Sequence, residues 1–332
     1  MRILVTGGCG FIGHHFVEHL MKTTDWKIIL LERFSHAGNL DRISDIKVFS
    51  SNSHRVEVNW HDLRSPLNDP LIKRIGEVDY IVHFAASTHV DNSIHNPSQF
   101  VLDNVLGTQH MLDFCMTLKG LKAFINFSTD EVYGPAPDGV YHKEGDPHNP
   151  TNPYAASKSA QEQMGKAAFV THGVPVITTH TMNNFGERQN PEKFLPKLIR
   201  SIIRGDEMPV FADVDSAGNV VKDRIGSRCW IHARNTANAL TFLLKFGKPG
   251  QEYNIISDDE FNLVEMGEKV AEILGRPFIP KYVGFYNARP GHDRRYALCG
   301  NKLAGLGWRA PMRFEECLEK TVKWSVDHPQ WL

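Results

Sequence analysis

A glycine-rich turn near the start of the chain constrains the fold more than any other feature. The strand-like run Arg2–Thr6 is followed by the heptapeptide GGCGFIG from Gly7 to Gly13, and a helical stretch begins at about Phe11. Glycine lets the chain turn tightly and lets backbone N–H groups approach a pyrophosphate at the helix N-terminus. Both GxGxxG and GxxGxxG spacings are present. Their position between a strand and a helix favours a dinucleotide-binding turn over a turn that only packs helix on sheet.

Strand-like and helix-like stretches alternate through the first half of the chain. This alternation implies parallel pairing with right-handed crossovers, and therefore an α/β fold with a doubly wound parallel sheet of the Rossmann type. The further predicted strands are Lys27–Leu31, Arg55–Asn59, Asp79–Phe84, Ala123–Ser128 and Val174–Thr179. The predicted helices include Phe11–Thr23, Pro97–Leu118 and Tyr154–His172.

The pattern becomes less regular after Asn183. Proline punctuation and a hairpin-like stretch, Val210–Trp230 with its turn at 217–219, indicate a smaller C-terminal substrate-binding lobe. We therefore expect a cofactor-binding domain over residues 1–185 and a substrate lobe over 186–332, with the chain free to cross back between them.

Composition excludes several classes of protein. The formal net charge is −1, so no overall field favours nucleic acid or an acidic membrane. The five cysteines are scattered and odd in number, which is typical of reduced thiols in a cytoplasmic protein. We see no signal peptide, no apolar run of about 18 residues that could span a membrane, and no histidine or cysteine spacing that indicates a metal site.

Two acidic residues follow predicted strands where a dinucleotide would lie. Glu32 ends the second strand, and a carboxylate there can accept both ribose hydroxyls and repel a 2′-phosphate. Glu32 therefore favours NAD over NADP, although the neighbouring Arg33 leaves NADP open. Asp62 follows the third strand and can reach the adenine edge, or it can simply cap a helix.

Tyr154 and Lys158 stand four residues apart and share a helix face. A lysine ammonium near a phenol lowers the phenol pKa, which would make Tyr154 a base for a substrate hydroxyl as hydride leaves its carbon. The pair follows Ser128-Thr129, which closes the fifth strand at the sheet edge where α/β ligands bind.

These motifs resemble those of the extended short-chain dehydrogenase/reductase family over nearly the whole chain, and within it the nucleotide-sugar 4,6-dehydratases, such as dTDP-glucose 4,6-dehydratase. The segment Ser128-Thr129-Asp130-Glu131-Val132-Tyr133-Gly134 is the most specific, because epimerases and decarboxylases of the superfamily lack the Asp-Glu pair. The other similar segments are 37–39 (AGN), 85–86 (AA), 89–91 (HVD), 152–158 (NPYAASK), 183–186 (NNFG), 191–193 (PEK) and 289–296 (RPGHDRRY).

The resemblance implies a three-stage reaction. Tyr154 takes the 4-hydroxyl proton of a hexose while C4 hydride passes to NAD+, and Thr129 orients the 4-oxygen. Glu131 then removes the C5 proton while Asp130, kept protonated by a raised pKa, protonates the departing C6 hydroxyl. Hydride finally returns to C6, and C5 is reprotonated. The implied catalytic residues are Thr129, Asp130, Glu131, Tyr154 and Lys158.

The resemblance also implies the binding residues and a homodimer. The cofactor would contact Gly7, Gly10, Phe11, Ile12, Gly13, Glu32, Asn39, Asp62, Leu63, Ala85, Ala86, Asn104, Ser128, Tyr154 and Lys158. The nucleotide sugar would contact Ser87, Thr88, Thr129, Asn183, Lys193, Arg228, Arg289 and His292. Dimerisation would pair the helices near Pro97–Leu118 and Tyr154–His172. Apolar Val101, Val105, Met111, Met164 and Ala168 lie on them, although core packing explains these equally well.

The chain departs from the dTDP-glucose pattern around the sugar and base. Ser87-Thr88 replaces Glu-Ser, the segment from Phe211 to Ser227 is longer, and Ala233-Arg234-Asn235 replaces Val-Glu-Asp. These changes leave the base and hexose open, with dTDP-glucose and UDP-glucose foremost. The alternatives are a related epimerase, a dehydratase that stops at an enol ether, and a non-catalytic NAD sensor. The intact catalytic residues argue against a sensor.

Overall fold

The computed structural model describes residues 1–35, 37–215, 217, 219–284 and 294–332, apart from the side chain of Asp223. Its centre is a seven-stranded parallel sheet, ordered β3-β2-β1-β4-β5-β6-β11. These strands are β1 Arg2–Thr6, β2 Lys27–Glu32, β3 Val56–Trp60, β4 Tyr80–His83, β5 Ala123–Phe127, β6 Val176–Thr181 and β11 Glu252–Ile255. The order reverses between β1 and β4, so the expected doubly wound fold is confirmed.

Both faces of this sheet are covered by helices, which is why its strands β1, β2, β4 and β5 are mostly apolar. Ile3 and Val5 of β1 point to one face and pack with helices Phe11–Thr23 and Ala233–Phe246. Leu4 points to the other face. There the apolar cluster includes residues of helices Asp69–Ile75, Gly107–Thr117 and Pro153–His172. Shorter helices at Asp41–Ser44, Phe49–Asn52, Ser53–Arg55, Val90–His95 and Pro97–Phe100 complete this half.

The helix predicted over Pro97–Leu118 has an irregular middle. It consists of Pro97–Phe100, a π-helical segment Val101–Leu106, and Gly107–Thr117. The π segment buries Asp103 and Asn104, which lie close to the carboxyl ends of the sheet strands. Such segments are frequent at functional sites.

The second lobe contains two small sheets. In one, β10 Ser227–His232 pairs with β7 Asn183–Phe185, β12 Glu260–Asn262 and β14 Arg295–Tyr296. In the other, β8 Met208–Val214 lies between β9 Val220–Ile225 and β13 Pro280–Gly284. Helices Phe194–Arg204, Leu263–Leu274 and Phe314–Asp327 pack on them, while Asn301–Gly305 and Pro329–Trp331 are short.

The structure differs further from the sequence-based elements at the sixth strand and at the predicted hairpin. The sixth strand is displaced by two residues, because the helix before it ends in left-handed Gly173 and Val174 still bonds to the carbonyl of Ala168. The predicted hairpin is β8–β9, whereas Trp230 belongs to the separate strand β10. After β10 the chain returns to the large sheet, through helix Ala233–Phe246 and β11. The division at residue 185 stays a prediction.

Candidate active site

The glycine turn forms a close-packed cradle in front of helix Phe11–Thr23. Gly7 has φ +70°, and a β-carbon added there would lie 2.9 Å from the backbone nitrogen of Ala85. A β-carbon added at Gly13 would lie 2.1 Å from the carbonyl oxygen of Gly7. Gly10 caps the helix without a side-chain hydrogen bond from the described residues, and the first turn carries no acidic residue. The amides of that turn therefore remain available to an anion, which fits a dinucleotide pyrophosphate.

Glu32 lies at the end of β2 and supports the same turn. Its Oε1 accepts a hydrogen bond from the Cys9 amide at 2.8 Å, and burial raises the pKa of Glu32 to about 7. The carboxyl group also lines the cleft in front of the turn, where the sequence predicts a ribose contact.

Arg33 is held by two carboxylates. Its guanidinium donates to both oxygens of Asp103, at 2.7 and 3.3 Å, and to Asp62 at 3.4 Å. Asp103 also accepts from Arg64 at 2.6 Å, and these bonds hold the pKa of Asp103 well below its usual range in spite of its burial. Because Arg33 is already neutralised, its presence beside Glu32 gives little support to a site for a 2′-phosphate.

One cleft of about 320 Å³ runs from the glycine turn to the end of β5. It brings together most of the residues expected to contact the cofactor. Those that line it are Gly7, Gly10, Phe11, Ile12, Gly13, Glu32, Asp62, Leu63, Ala85, Ala86, Ser128, Tyr154 and Lys158.

Two residues expected to contact the cofactor lie outside the lining. The Asn39 side chain accepts from the Asp41 amide at 2.9 Å. Asn104 is fully buried and holds the backbone of Ser87, accepting from its amide at 2.7 Å and donating to its carbonyl at 3.0 Å. Asn104 also donates to Ser157 Oγ, at 2.8 Å. Both side chains hold backbone beside the cleft, and their contact with the cofactor stays a prediction.

The predicted catalytic residues meet at the carboxyl end of β5. Thr129 caps the 3₁₀ helix Asp130–Tyr133, and Asn152 caps the helix that carries Tyr154 and Lys158. Asn before a Pro-initiated helix is a strong N-cap signal, and its Oδ1 accepts from the Ala155 amide at 2.9 Å. All five catalytic candidates line the same cleft.

Asp130 is buried and its pKa is raised to about 7, first by desolvation and then by the charge of Glu131. Its Oδ1 accepts a hydrogen bond from Thr129 Oγ1 at 3.1 Å, while Oδ2 has no hydrogen-bond partner among the described residues. A carboxyl group in this state is partly protonated at neutral pH, so it can serve as a general acid.

Tyr154 and Lys158 differ from the sequence-based rationale. Burial, followed by the charge of Glu131, raises the pKa of Tyr154 well above its usual value. Lys158 Nζ donates to the Phe127 carbonyl and to Gln161 Oε1, both at 2.6 Å, and burial lowers the pKa of Lys158 to about 7. The expected lowering of the phenol pKa by Lys158 is not seen in this arrangement, in which desolvation and the charges of Glu131 and Asp130 raise that pKa.

Glu131 is held by two residues that the sequence analysis did not assign to the site. Asn152 Nδ2 donates to its Oε2 at 3.3 Å, and Tyr296 Oη donates to the same oxygen at 3.4 Å. Tyr296 comes from β14 of the second lobe, and the Arg228 guanidinium stacks on its ring, 4.8 Å from the centroid. The second lobe therefore contacts one of the two carboxyl groups that are predicted to be catalytic.

The residues expected to bind substrate divide into three groups. Thr88, Thr129, Asn183 and Lys193 line the cleft. Ser87 and Arg228 lie outside its lining: Ser87 Oγ donates to Asp103 at 2.6 Å, and Arg228 donates to the carbonyls of Ser227 and Arg294, each at 2.7 Å. Arg289 and His292 fall outside the described residues.

Comparison with known proteins identifies the family. The model of the NAD dependent epimerase/dehydratase family matches residues 3–255. The chain is 38% identical to the low-salt glycan biosynthesis protein Agl12 of Haloferax volcanii, over 98% of this chain and 99% of that protein. It is 33% identical to the dTDP-glucose 4,6-dehydratase of Salmonella typhimurium, over 100% and 94% respectively.

A solved structure shows the same architecture. The crystal structure of DesIV, a dTDP-glucose 4,6-dehydratase from Streptomyces venezuelae with NAD bound, superposes with a TM-score of 0.88 at 32% identity. The match covers 100% of this chain and 98% of that one.

The chain therefore belongs to the NAD dependent epimerase/dehydratase family, as its motifs indicate, and the expected cofactor class is confirmed at the level of this family. The relatives include nucleotide-sugar dehydratases. All five cysteines are free, and no helix within the described residues is long and apolar enough to cross a membrane. A cytoplasmic location stays a prediction.

Proposed function

We propose that this protein is an NAD-dependent nucleotide-sugar 4,6-dehydratase, a hydro-lyase of deoxysugar biosynthesis. It would convert an NDP-hexose into the NDP-4-keto-6-deoxyhexose and water. The observation that carries the proposal is the Asp130–Glu131 pair, which lies in one cleft with Tyr154 and has one carboxyl group set up as an acid. The relatives described as dTDP-glucose 4,6-dehydratases make dTDP-glucose the first substrate to test and UDP-glucose the second.

In the oxidation step, Tyr154 accepts the proton of the 4-hydroxyl. The Tyr154 side chain shares a hydrogen bond with Thr129. When bound, NAD+ supplies a positive charge and a hydride acceptor for C4, and the hydride later returns to C6. The raised pKa of Tyr154 means that its phenol needs added positive charge to act as a base. Lys158 lies one turn further along the same helix with its Nζ directed at the Phe127 carbonyl and Gln161, so this charge would come from the bound NAD+.

In the elimination step, the two carboxyl groups take opposite roles. The 4-ketone acidifies the C5 hydrogen, which Glu131 removes while Asn152 and Tyr296 hold its carboxylate in place. Asp130 gives its proton to the departing C6 hydroxyl, which leaves as water, and C5 regains a proton when hydride returns to C6. Asp130 is buried and Glu131 is half-buried. Because burial favours the protonated form, Asp130 is suited to act as the acid and Glu131 as the base.

Single-turnover kinetics with dTDP-glucose test these assignments. We expect Tyr154→Phe to abolish formation of bound NADH. Asp130→Asn and Glu131→Gln should still form NADH but lose water about 10²–10⁴-fold more slowly, the usual effect of losing a general acid or base. The measurements are absorbance at the nicotinamide band and mass analysis of the sugar.

A matched control is Asp138→Asn, since the Asp138 side chain is 77% exposed and pairs only with Arg294 among the ion pairs of the described residues. It should dehydrate at the wild-type rate. If Asp130→Asn and Glu131→Gln both do so as well, the chain is not a 4,6-dehydratase. Assaying a panel of nucleotide sugars for 4-keto product shows which base and hexose the protein accepts. The same assay distinguishes dehydration from epimerisation and from simple binding.

We also propose that the protein is a homodimer. Val101 and Leu102 on the π-helical segment are 53% and 43% exposed, and Val170 on the catalytic helix is 72% exposed. Met111 and Ala168, by contrast, are buried in the core. Light scattering at micromolar concentration should give the dimer mass, and Leu102→Glu should give the monomer. A monomeric wild-type protein would refute this proposal.

A further inference from the structure

Three metal-ligating side chains converge behind the active site. His148 comes from the loop before the catalytic helix, Glu162 from that helix and His180 from β6. Both imidazoles direct Nε2 at the same carboxylate oxygen, Glu162 Oε2, at 3.4 Å from His148 and 3.0 Å from His180. Each of the three offers a ligand atom within 4.8 Å of the others. None of them lines the cleft that holds Tyr154.

The orientation of His180 is fixed by Asn254. Asn254 Nδ2 donates to the carbonyls of His142 and Cys299, both at 3.1 Å, so its Oδ1 must face His180. The distance from His180 Nδ1 to that Oδ1 is 3.0 Å, which makes Nδ1 the donor. Nε2 then faces Glu162 Oε2 at 3.0 Å, a separation that fits a hydrogen-bonded ion pair and equally fits two ligand atoms of one bound metal ion.

His148 is held in the same manner. Its Nδ1 lies 2.8 Å from Ser159 Oγ, which can accept the N–H and leave Nε2 directed at Glu162. The second oxygen of Glu162 accepts a short hydrogen bond from Ser128 Oγ. Histidines and carboxylates that bind metals are oriented by such bonds through their remaining atoms.

The spacing of the ligand atoms suits a tetrahedral ion. Bonds of about 2.0–2.1 Å to nitrogen and oxygen place tetrahedral ligands roughly 3.3 Å apart. The two nitrogen-to-oxygen distances in this cluster are 3.4 and 3.0 Å. Two imidazoles and one carboxylate form a donor set preferred by Zn²⁺ rather than by Mg²⁺ or Ca²⁺. The His148 side chain is 16% exposed, which gives an ion a route from solvent.

We propose that His148, Glu162 and His180 form a binding site for one divalent transition-metal ion, with Zn²⁺ as the preferred ion. The site fastens the loop that precedes Asn152 to the helix carrying Tyr154 and Lys158, and its role is structural. The ligands are separated by 14 and 18 residues and lie on a loop, a helix and a strand. This spacing matches no short metal-binding motif, which is why the sequence analysis predicted no metal site.

The test is Zn²⁺ binding to the untagged full chain, stripped with a chelator and dialysed into chelator-free buffer. Competition with a chromogenic chelator and elemental analysis give affinity and stoichiometry. We expect one Zn²⁺ per chain with a Kd of about 1 μM or tighter. His148→Gln should weaken binding at least about 100-fold, and Asn254→Ala should weaken it about 10–100-fold, as losses of outer hydrogen bonds do.

The matched control is His142→Gln. His142 stacks on Tyr133, with ring centroids 5.3 Å apart, as part of the same aromatic group but outside the three ligands. It should bind Zn²⁺ as the wild type does. Co²⁺ in the wild-type site should show the intense visible absorption of a tetrahedral ion, and His148→Gln should not.

Two results would overturn the proposal. One is wild-type affinity weaker than about 1 mM, and the other is equal binding by wild type and His148→Gln, which would mark the ion as adventitious. Because His148 lies in a loop, its variant stays informative even if substitution of the fully buried His180 prevents folding. All readouts are independent of dehydratase activity.

Discussion

Replacing Gly13 by alanine should disrupt the glycine turn, because the added β-carbon would overlap backbone atoms of Gly7 and Gly8. The added β-carbon would lie 2.1 Å from the carbonyl oxygen of Gly7 and 2.7 Å from the Cα of Gly8. Favourable contacts between heavy atoms lie at about 3.5–4.0 Å. The neighbours are backbone rather than flexible side chains, so the turn itself must move by more than about 1 Å.

Such a shift displaces the amides that would hold the pyrophosphate. A misplacement of about 1 Å costs on the order of 10²-fold in function, and forcing an extra methyl into a packed site costs about 1–3 kcal/mol of stability. We therefore expect Gly13→Ala to weaken NAD binding by about 100-fold and to lower the free energy of unfolding by about 1–3 kcal/mol.

Calorimetric titration with NAD and urea unfolding measure these two effects. The matched control is Gly305→Ala, because a β-carbon at Gly305 meets nothing within 4 Å in the described structure. Gly305 ends the helix Asn301–Gly305, where alanine should be neutral or stabilising by up to about 1 kcal/mol. Wild-type NAD affinity in Gly13→Ala would refute the close-packed turn as the cofactor cradle.

Two further predictions concern ionisation. Burial raises the pKa of Asp130 to about 7, and the acid acts in its protonated form. In single-turnover assays of water loss, the rate of elimination should therefore fall as pH rises through about 7, and at pH 9 it should be about 100-fold below its low-pH plateau. A rate that does not change with pH would refute the role of Asp130 as the acid. Glu187 is buried against His232 at 3.3 Å and Arg234 at 2.8 Å, which hold its pKa well below the usual 4.5. The interaction of Glu187 with His232 and Arg234 therefore stabilises the fold above about pH 4.5, and this stabilisation is lost as the pH falls below 4.5. Glu187→Gln should lower the free energy of unfolding at pH 7 by about 2 kcal/mol. This loss is smaller than for a fully buried ion pair because Arg234 is partly exposed. The unfolding midpoint of the variant should also fall less steeply than that of the wild type as the pH is lowered, and an equally steep fall would contradict the prediction.

Sequence reasoning located residues of the cleft where one short segment determines the geometry. The glycine turn and the Asp130–Glu131 pair each lie within a few residues, so spacing alone indicates what they face. Contacts formed between distant segments could not be foreseen. Asn104 reaches Ser87 and Ser157, and Tyr296 reaches Glu131 across 165 positions. The four-residue strand β11 carries too little periodicity to be recognised.

The expected lowering of the Tyr154 pKa is not seen for a related reason. Four-residue spacing places Lys158 on the same helix face, but a pKa depends on burial and on every nearby charge. Here the ammonium of Lys158 is directed at the Phe127 carbonyl and Gln161, and Glu131 and Asp130 face the phenol. Helix periodicity contains no information on any of these contacts.

The backbone after β5 explains how adjacent carboxyl groups come to have different environments. A 3₁₀ helix has three residues per turn, so successive side chains point about 120° apart. In the helix Asp130–Tyr133 this rotation buries Asp130, which is 5% exposed, and leaves Glu131 half-buried within reach of Asn152 and Tyr296. Desolvation and the charge of Glu131 then both favour the protonated form of Asp130. An α-helical turn would rotate successive side chains by about 100° instead. The local 3₁₀ geometry, together with the capping Thr129, thus places an acid and a base side by side from two consecutive residues of similar intrinsic acidity.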